Sequence, residues 1–419
     1  MNILLINHYA GSRIHGMVYR PFYLGREWVK QGHRVTIAAA SYTHIRTQSP
    51  TVSGSITEEE IDGIRYVWLK TPHYHANDMK RVVNMIAFTW RLFLSGKLLS
   101  AGTEPDIVIS SSTYPLDIFP AFRIARKYGA RLVFEVRDLW PLSPKLLGGM
   151  SQWHPFILGL QVAEDFAYRK SDKVISVLPQ AHTYMVSRGM DRGKFVYIPN
   201  GIDPMEWEAD TEDMPPEHKR LIGDLRSTGH MIVGFTGAYG EATDLPTLIE
   251  AAARLRDEKI AFVIVGLGPK RKKLQMAVAE RKLENVFFLL PAPKASMPRL
   301  LDAMDCLYIG LKRQPLFHFG VSPNKLLDYM MAAKPVLHAI DCSNNLVLES
   351  GGGISVPPED PDALAEAVAD LNRMTPAERS DLGLRGKRYV LERHDYRLLA
   401  RQFLTAVMDQ ASAPAAIQS

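Results

Sequence analysis

Cysteine is almost absent from this chain: Cys306 and Cys342 are the only two in 419 residues. They lie far apart and lack metal or redox spacing, so they read as small apolar side chains and imply a reducing compartment. Long uncharged apolar runs are missing too. No window reaches the ~18 residues of a membrane span. The opening MNILLINHYAG has no basic leader, and its apolar run has strand length, so it reads as a strand rather than a signal peptide. No Asp-x-Asp motif closes a strand, and no His or Cys residues pair at ligand spacing, so no metal cage is expected. No low-complexity tract interrupts the chain.

Charge is present but uneven. Residues 1–198 hold 24 Lys and Arg against 15 Asp and Glu, whereas residues 199–419 hold 26 against 30. A basic first half suggests an anionic surface or ligand there. No nucleic-acid partner is expected.

Short apolar runs alternate with amphipathic stretches. NILLINH (2–8), RVTIAAA (34–40), GIRYVWL (63–69), DIVISSS (106–112), RLVFEV (131–136), KVISVL (173–178) and KFVYIP (194–199) fill the first half. MIVGFTG (231–237), AFVIVG (261–266), NVFFLL (285–290), CLYIGL (306–311), PVLHAI (335–340) and GGISVP (352–357) fill the second. Nearly charge-free, β-branched runs of this kind are strands buried on both faces. Helical patterns between them, such as Tyr19–Gln31, Leu116–Tyr128, Phe156–Arg169, Leu245–Arg256 and Pro361–Met374, give the βαβ rhythm of a parallel sheet. The polar stretch Asp203–Gly229 reads as holding the linker. The expectation is an α/β protein of two doubly wound, Rossmann-like domains, 1–200 and 201–395, with a last helix at about 396–415 packing back on the first. Ligands of such sheets bind at the carboxyl ends of the strands, here expected to line an interdomain cleft.

One helix start is unusual. In FGVSPNKLLDYMMAAKPV, Ser322-Pro323 opens a helix whose first residues are Asn324 and Lys325. The helix dipole already favours anions at that end, so a cation there points to a bound phosphate. The alternative is a solvent-facing lysine.

Several motifs together resemble the GT-B glycosyltransferases, specifically the retaining family-four group. They are EWVKQGHRVTIAA (27–39), IPNGID (198–203), GFTGAYGEATDLPTLIEA (234–251), VIVGLGPKRKKL (263–274) and SPNKLLDYMMAAKPV (322–336). FEVRDLWP (134–141) points to the subgroup that adds sugars in bacterial surface-polysaccharide pathways.

The resemblance implies a nucleotide-diphosphate sugar as donor, with no cofactor and no metal. Its donor-site helix is SPNKLLDY. Many members carry an Arg and a Lys after the first strand of the nucleotide domain; here those positions are Ala238 and Thr243, and Lys325 is the natural replacement. Asp328 would accept hydrogen bonds from the ribose diol. The companion acid falls on Gly320, so backbone at Gly320–Ser322 would meet the donor sugar, and Tyr329 reads as core. Gly237 and Gly240 would let backbone approach phosphate, or form a plain turn; Gly266 and Gly268 read the same way. The run Lys270–Lys273 reads as a solvated helix face, and Pro291–Pro293 lies where the family pairs backbone with the base. Gly16, in GSRIHG, would bring amides to the distal phosphate, with His8 and His15 nearby. In FEVRDLWP, Asp138 could serve as base and Arg137 could steady a phosphate, or the two could simply cap the strand. The donor phosphate could instead take the acceptor proton.

The stretch Lys80–Ser100 is mostly apolar. Val82, Ile86, Trp90 and Phe93 form one face, widened by Val83 and Leu94, and Phe88 and Leu92 would remain exposed on the other side. Basic residues flanking Trp and Phe suit a helix lying on an anionic membrane. The resulting expectation is a hexosyl- or N-acetylhexosaminyl-type transferase, cytoplasmic and peripheral on the inner membrane face. Its acceptor would be a polyprenyl-diphosphate-linked sugar. A UDP-sugar epimerase of the same fold, a transferase with a soluble saccharide acceptor, and a non-catalytic nucleotide binder are the alternatives.

Overall fold

The computed structural model describes residues 1–74, 79–99, 104–208 and 211–409. The chain forms two compact units, Met1–Asn200 with the segment from Tyr396, and Gly201–Asp395.

The first unit has an eight-stranded sheet. Its strands are β1 (Asn2–Ile6), β2 (Arg34–Ala40), β3 (Ile56–Ile61), β4 (Ile64–Leu69), β5 (Ile107–Ser110), β6 (Arg131–Val136), β7 (Lys173–Ser176) and β8 (Phe195–Tyr197). Their order is β3-β4-β2-β1-β5-β6-β7-β8. Only the β3–β4 pair is antiparallel. The run ITEEEI of β3 escapes sequence reading because three consecutive acids mask its alternation. It sits at the sheet edge, where charge discourages pairing with another chain. Asp62 and Gly63, both at positive φ, close the hairpin. Helix Tyr396–Met408 lies on helix Arg20–Lys30, with Trp28 Nε1 donating to Ala400 O at 3.0 Å.

The second unit has a parallel six-stranded sheet, β9 (Met231–Thr236), β10 (Ile260–Val265), β11 (Val286–Leu289), β12 (Cys306–Gly310), β13 (Val336–Ala339) and β14 (Gly353–Ser355). The order β11-β10-β9-β12-β13-β14 reverses between β9 and β12. Met231, Val233 and Phe235 enter one core layer while Ile232 enters the other, and β10 alternates likewise. Two buried faces explain why these strands read as continuous apolar runs. Proline at the first turn starts the helices at Pro155, Pro216, Pro361 and Pro376, and Thr375 with Glu378 completes a capping box.

Within the stretch Asp203–Gly229, helix Pro216–Ser227 belongs to the second unit and buries Ile222 and Leu225 beside Ile232. An i, i+3 apolar pair is a faint signal among so many charges. In helix Met79–Leu94 the two faces are exchanged. Phe88 and Leu92 are buried with Asn84 and Met85, and the outer stripe is Met79, Val83, Ile86, Trp90 and Leu94. Both faces are apolar, so periodicity alone gives no sign to the moment.

Candidate functional site

In the second unit the turn after β9 meets the start of helix Asn324–Met331. The Lys325 ammonium lies 4.3 Å from the centre of the Phe235 ring. Gly237, at φ +137, leaves it room, since a Cβ there would stand 2.6 Å from Lys325 Nζ. Burial draws the lysine pKa down to about 8. Among the described residues no carboxylate comes within ion-pair distance of it. A partly buried cation with no anion is costly in isolation, and a phosphate would relieve it.

Asp328 stands one turn further along. Burial lifts its carboxyl to about 6, while Lys294 pulls it down and Glu206 pushes it up. Those two form an ion pair of 2.7 Å. Neither neighbour was apparent from sequence, because they come from the loop after β11 and the helix Met205–Glu208. Tyr329 is core: its hydroxyl accepts from Thr236 N at 2.8 Å and donates to Thr236 O at 3.2 Å, fixing the helix against the end of β9.

The loop before the helix is held from outside. Asn344 accepts from Val321 N and donates to Val321 O, both at 2.8 Å. Gly320, at φ +108, turns the chain there and is buried. Ser322 is half-buried and Asn324 exposed at the helix start.

The other glycines divide. A Cβ on Gly266 would lie 1.9 Å from Gly237 O, and one on Gly268 would lie 2.6 Å from Tyr239 N. These two glycines allow the close approach of neighbouring loops. Gly240 has negative φ and ordinary space about it. Thr243 Oγ1 donates to Ala238 O at 3.3 Å within that loop. In the basic run, Lys270 pairs with Glu241 at 2.6 Å.

In the first unit the expected residues are engaged within the protein. Gly16, at φ +89, gives its N–H to Ser12 O at 2.8 Å and accepts from Ser12 N. Its amide is therefore spent inside the turn. His8 is buried against Tyr114 and Phe88, and burial keeps it neutral by lowering its pKa. His15 shares a hydrogen bond of 2.9 Å with Ser12 Oγ and stacks edge-on against Trp68.

Asp138 and Arg137 do not pair. Asp138 accepts from Trp140 Nε1 at 3.0 Å and from Ser143 Oγ at 2.5 Å, so both its oxygens hold their own loop. Burial lowers the pKa of Arg137, with Glu135 opposing and Arg20 adding to that effect.

Sequence reading missed two features of this unit. Arg20 and Glu135 form a buried ion pair of 3.0 Å, each side chain about 1% exposed. Ser111 also donates to Glu135, and Arg20 donates to the carbonyls of Ile198 and Pro199. Arg81 stands 5.8 Å from the ring centres of both Tyr9 and Trp140, and it donates to Tyr9 Oη at 3.2 Å. Tyr9, Arg81, Trp140 and Asp138 thus gather beyond the carboxyl ends of β1 and β6.

Comparison with known proteins agrees across both units. Residues 15–201 match the family model described as a glycosyl transferase 4-like domain, and residues 230–373 match the one described as glycosyl transferases group 1. The chain is 25% identical over 330 residues to the probable glycosyltransferase WbjE of Pseudomonas aeruginosa, covering 77% of this chain and 78% of the relative. It is 24% identical over 354 residues to the putative colanic acid biosynthesis glycosyl transferase WcaI of Escherichia coli (strain K12), covering 82% and 85%. The structure of Alr3699/HepE from Anabaena in complex with UDP-glucose superposes with a TM-score of 0.66 at 16% identity, covering 97% of this chain and 99% of that one.

Proposed function

The chain belongs to the GT-B glycosyltransferases, and we propose that it moves a sugar from a nucleotide-diphosphate donor to a lipid-linked acceptor in surface-polysaccharide synthesis, with retention at the anomeric carbon. The observation that carries this reading is Lys325: a partly buried ammonium against Gly237 with no carboxylate within ion-pair distance among the described residues. It supplies at the donor diphosphate the charge that Ala238 and Thr243 do not. Positioned cations and dipoles of this kind stabilise a departing phosphate without a resident metal. The name of one relative, a putative colanic acid biosynthesis glycosyl transferase, supports a place in polysaccharide synthesis. The retaining outcome rests on the family-four resemblance.

Within this reading Asp328 receives the ribose hydroxyls. Asp138 holds Trp140, Arg81 and Arg137 supply cationic charge in the first unit, and the departing diphosphate takes the acceptor proton. Membrane-surface contact through helix Met79–Leu94 is part of the proposal, supported by its exposed stripe, in which Trp90 is 63% and Leu94 70% exposed. Among the described residues no helix is long and apolar enough to cross a membrane. The test is mass spectrometry of products from a panel of nucleotide sugars incubated with the protein and membrane lipid extract. A glycosylated lipid supports the reading, and donor turnover confined to water-soluble acceptors overturns the lipid assignment.

A further expectation separates Asp328's cost from its use. Burial raises its carboxyl from 3.8 to about 6, so the folded state prefers the neutral form. The penalty is absent below about pH 4, where both states are protonated, and complete above about pH 6. Asp328→Asn should therefore stabilise the fold at neutral pH, by on the order of 1–2 kcal/mol after solvent screening, and raise the unfolding temperature there but not in acid. The same change should weaken donor binding and abolish discrimination against a 2′,3′-dideoxyribose donor. A variant that still prefers the normal ribose as strongly as the parent refutes the ribose role.

A further inference from the structure

The outer stripe of helix Met79–Leu94 ends at a groove of about 380 Å³. Phe93, Leu94 and Ile124 line its apolar part; Lys97, Arg123 and Lys127 line the rest. No acidic side chain lines it among the described residues. Lys127 is steered by Tyr128, donating to its hydroxyl at 2.8 Å. The three cations are exposed and come from two helices, so the chain has gathered like charges around one depression. Like charges lining one depression raise the local potential and favour an anionic guest. Leu94 belongs to both features: it closes the apolar stripe and forms a wall of the groove. Apolar stripe followed by cationic groove is the polarity pattern of a lipid, with acyl chains beside Trp90 and a phosphate beside Arg123.

We infer that this groove is a head-group site for an anionic phospholipid, seated where the exposed stripe meets Lys97, Arg123 and Lys127. The inference deepens the membrane contact proposed above and rests on it. It differs from diffuse attraction in one respect: three particular cations matter, not net charge. Each basic residue at an anionic leaflet is worth about fivefold in partition.

The experiment is flotation of the full chain with vesicles of phosphatidylcholine alone or mixed equally with phosphatidylglycerol. The parent is expected to bind the mixed vesicles more tightly, and salt should weaken that preference. The triple variant K97Q/R123Q/K127Q should lose on the order of a hundredfold on mixed vesicles. It should bind phosphatidylcholine as the parent does, with its unfolding temperature unchanged. The charge-matched variant R169Q/K170Q/R192Q, changed elsewhere on the same unit, should lose far less. Trp90→Glu with Leu94→Glu should lose both kinds of vesicle. If the two triple variants lose equally, or the groove variant matches the parent, the head-group site is overturned while the membrane contact stands. If the parent binds neither vesicle, the membrane contact itself falls. Inorganic phosphate should compete no better than chloride at equal ionic strength; selective competition would overturn the lipid in favour of a soluble phosphate.

Discussion

Lys325→Ala is expected to weaken binding of a nucleoside diphosphate by roughly ten- to a hundredfold and leave binding of the bare nucleoside unchanged. A charge-assisted contact is worth about 1.5–3 kcal/mol, which sets that range. The ammonium sits against Phe235 and Gly237, and burial has already drawn its pKa to about 8. A phosphate beside it restores the charged form, so binding should take up a proton near pH 8, and affinity should fall as pH rises through about 8. The sign follows from the free protein giving up this proton more readily than the bound one. Calorimetry in two buffers of different ionisation enthalpy measures the uptake directly. Equal small losses for both ligands, or an uptake that survives in Lys325→Ala, would remove the lysine from the phosphate site. Lys325→Arg is not a neutral control, since a planar guanidinium replaces a compact ammonium in a niche shaped by Gly237.

The second large effect is structural. Glu135→Ala should destabilise the first unit by roughly 3–5 kcal/mol, because it strands a buried guanidinium. Arg20 and Glu135 are both about 1% exposed, and Arg20 also ties the carbonyls of Ile198 and Pro199, where the chain leaves this unit. Against a domain stability of about 5–15 kcal/mol, such a loss is severe. Replacing both partners by apolar residues of similar size, Arg20→Met with Glu135→Leu, should recover much of it, since neither charge of the pair is then left buried without the other. Urea unfolding followed by tryptophan fluorescence reads the difference. A Glu135→Ala variant less than about 1 kcal/mol below the parent would mean that water reaches the pair and that burial is not what binds it.

What the sequence by itself determined was the alternation of strands and helices, and through it the two-unit α/β fold. Buried parallel strands are written as uninterrupted apolar runs, and RVTIAAA or MIVGFT can be little else. The odd helix start at Asn324 and Lys325 was legible for the same local reason: the dipole acts within one turn. Edge strand β3 was not, because an edge carries the charge that hides a strand. Tertiary structure alone decided which face of helix Met79–Leu94 is core, since both faces are apolar and only what packs beneath, His8 against Phe88 for one, chooses Phe88 and Leu92. It alone separated the glycines, turning Gly266 and Gly268 into packing residues and Gly237 into the niche for Lys325. It also brought Arg20 to Glu135 and Arg81 to Tyr9 and Trp140, pairs far apart in sequence. Such contacts depend on chain crossings, which no local pattern records.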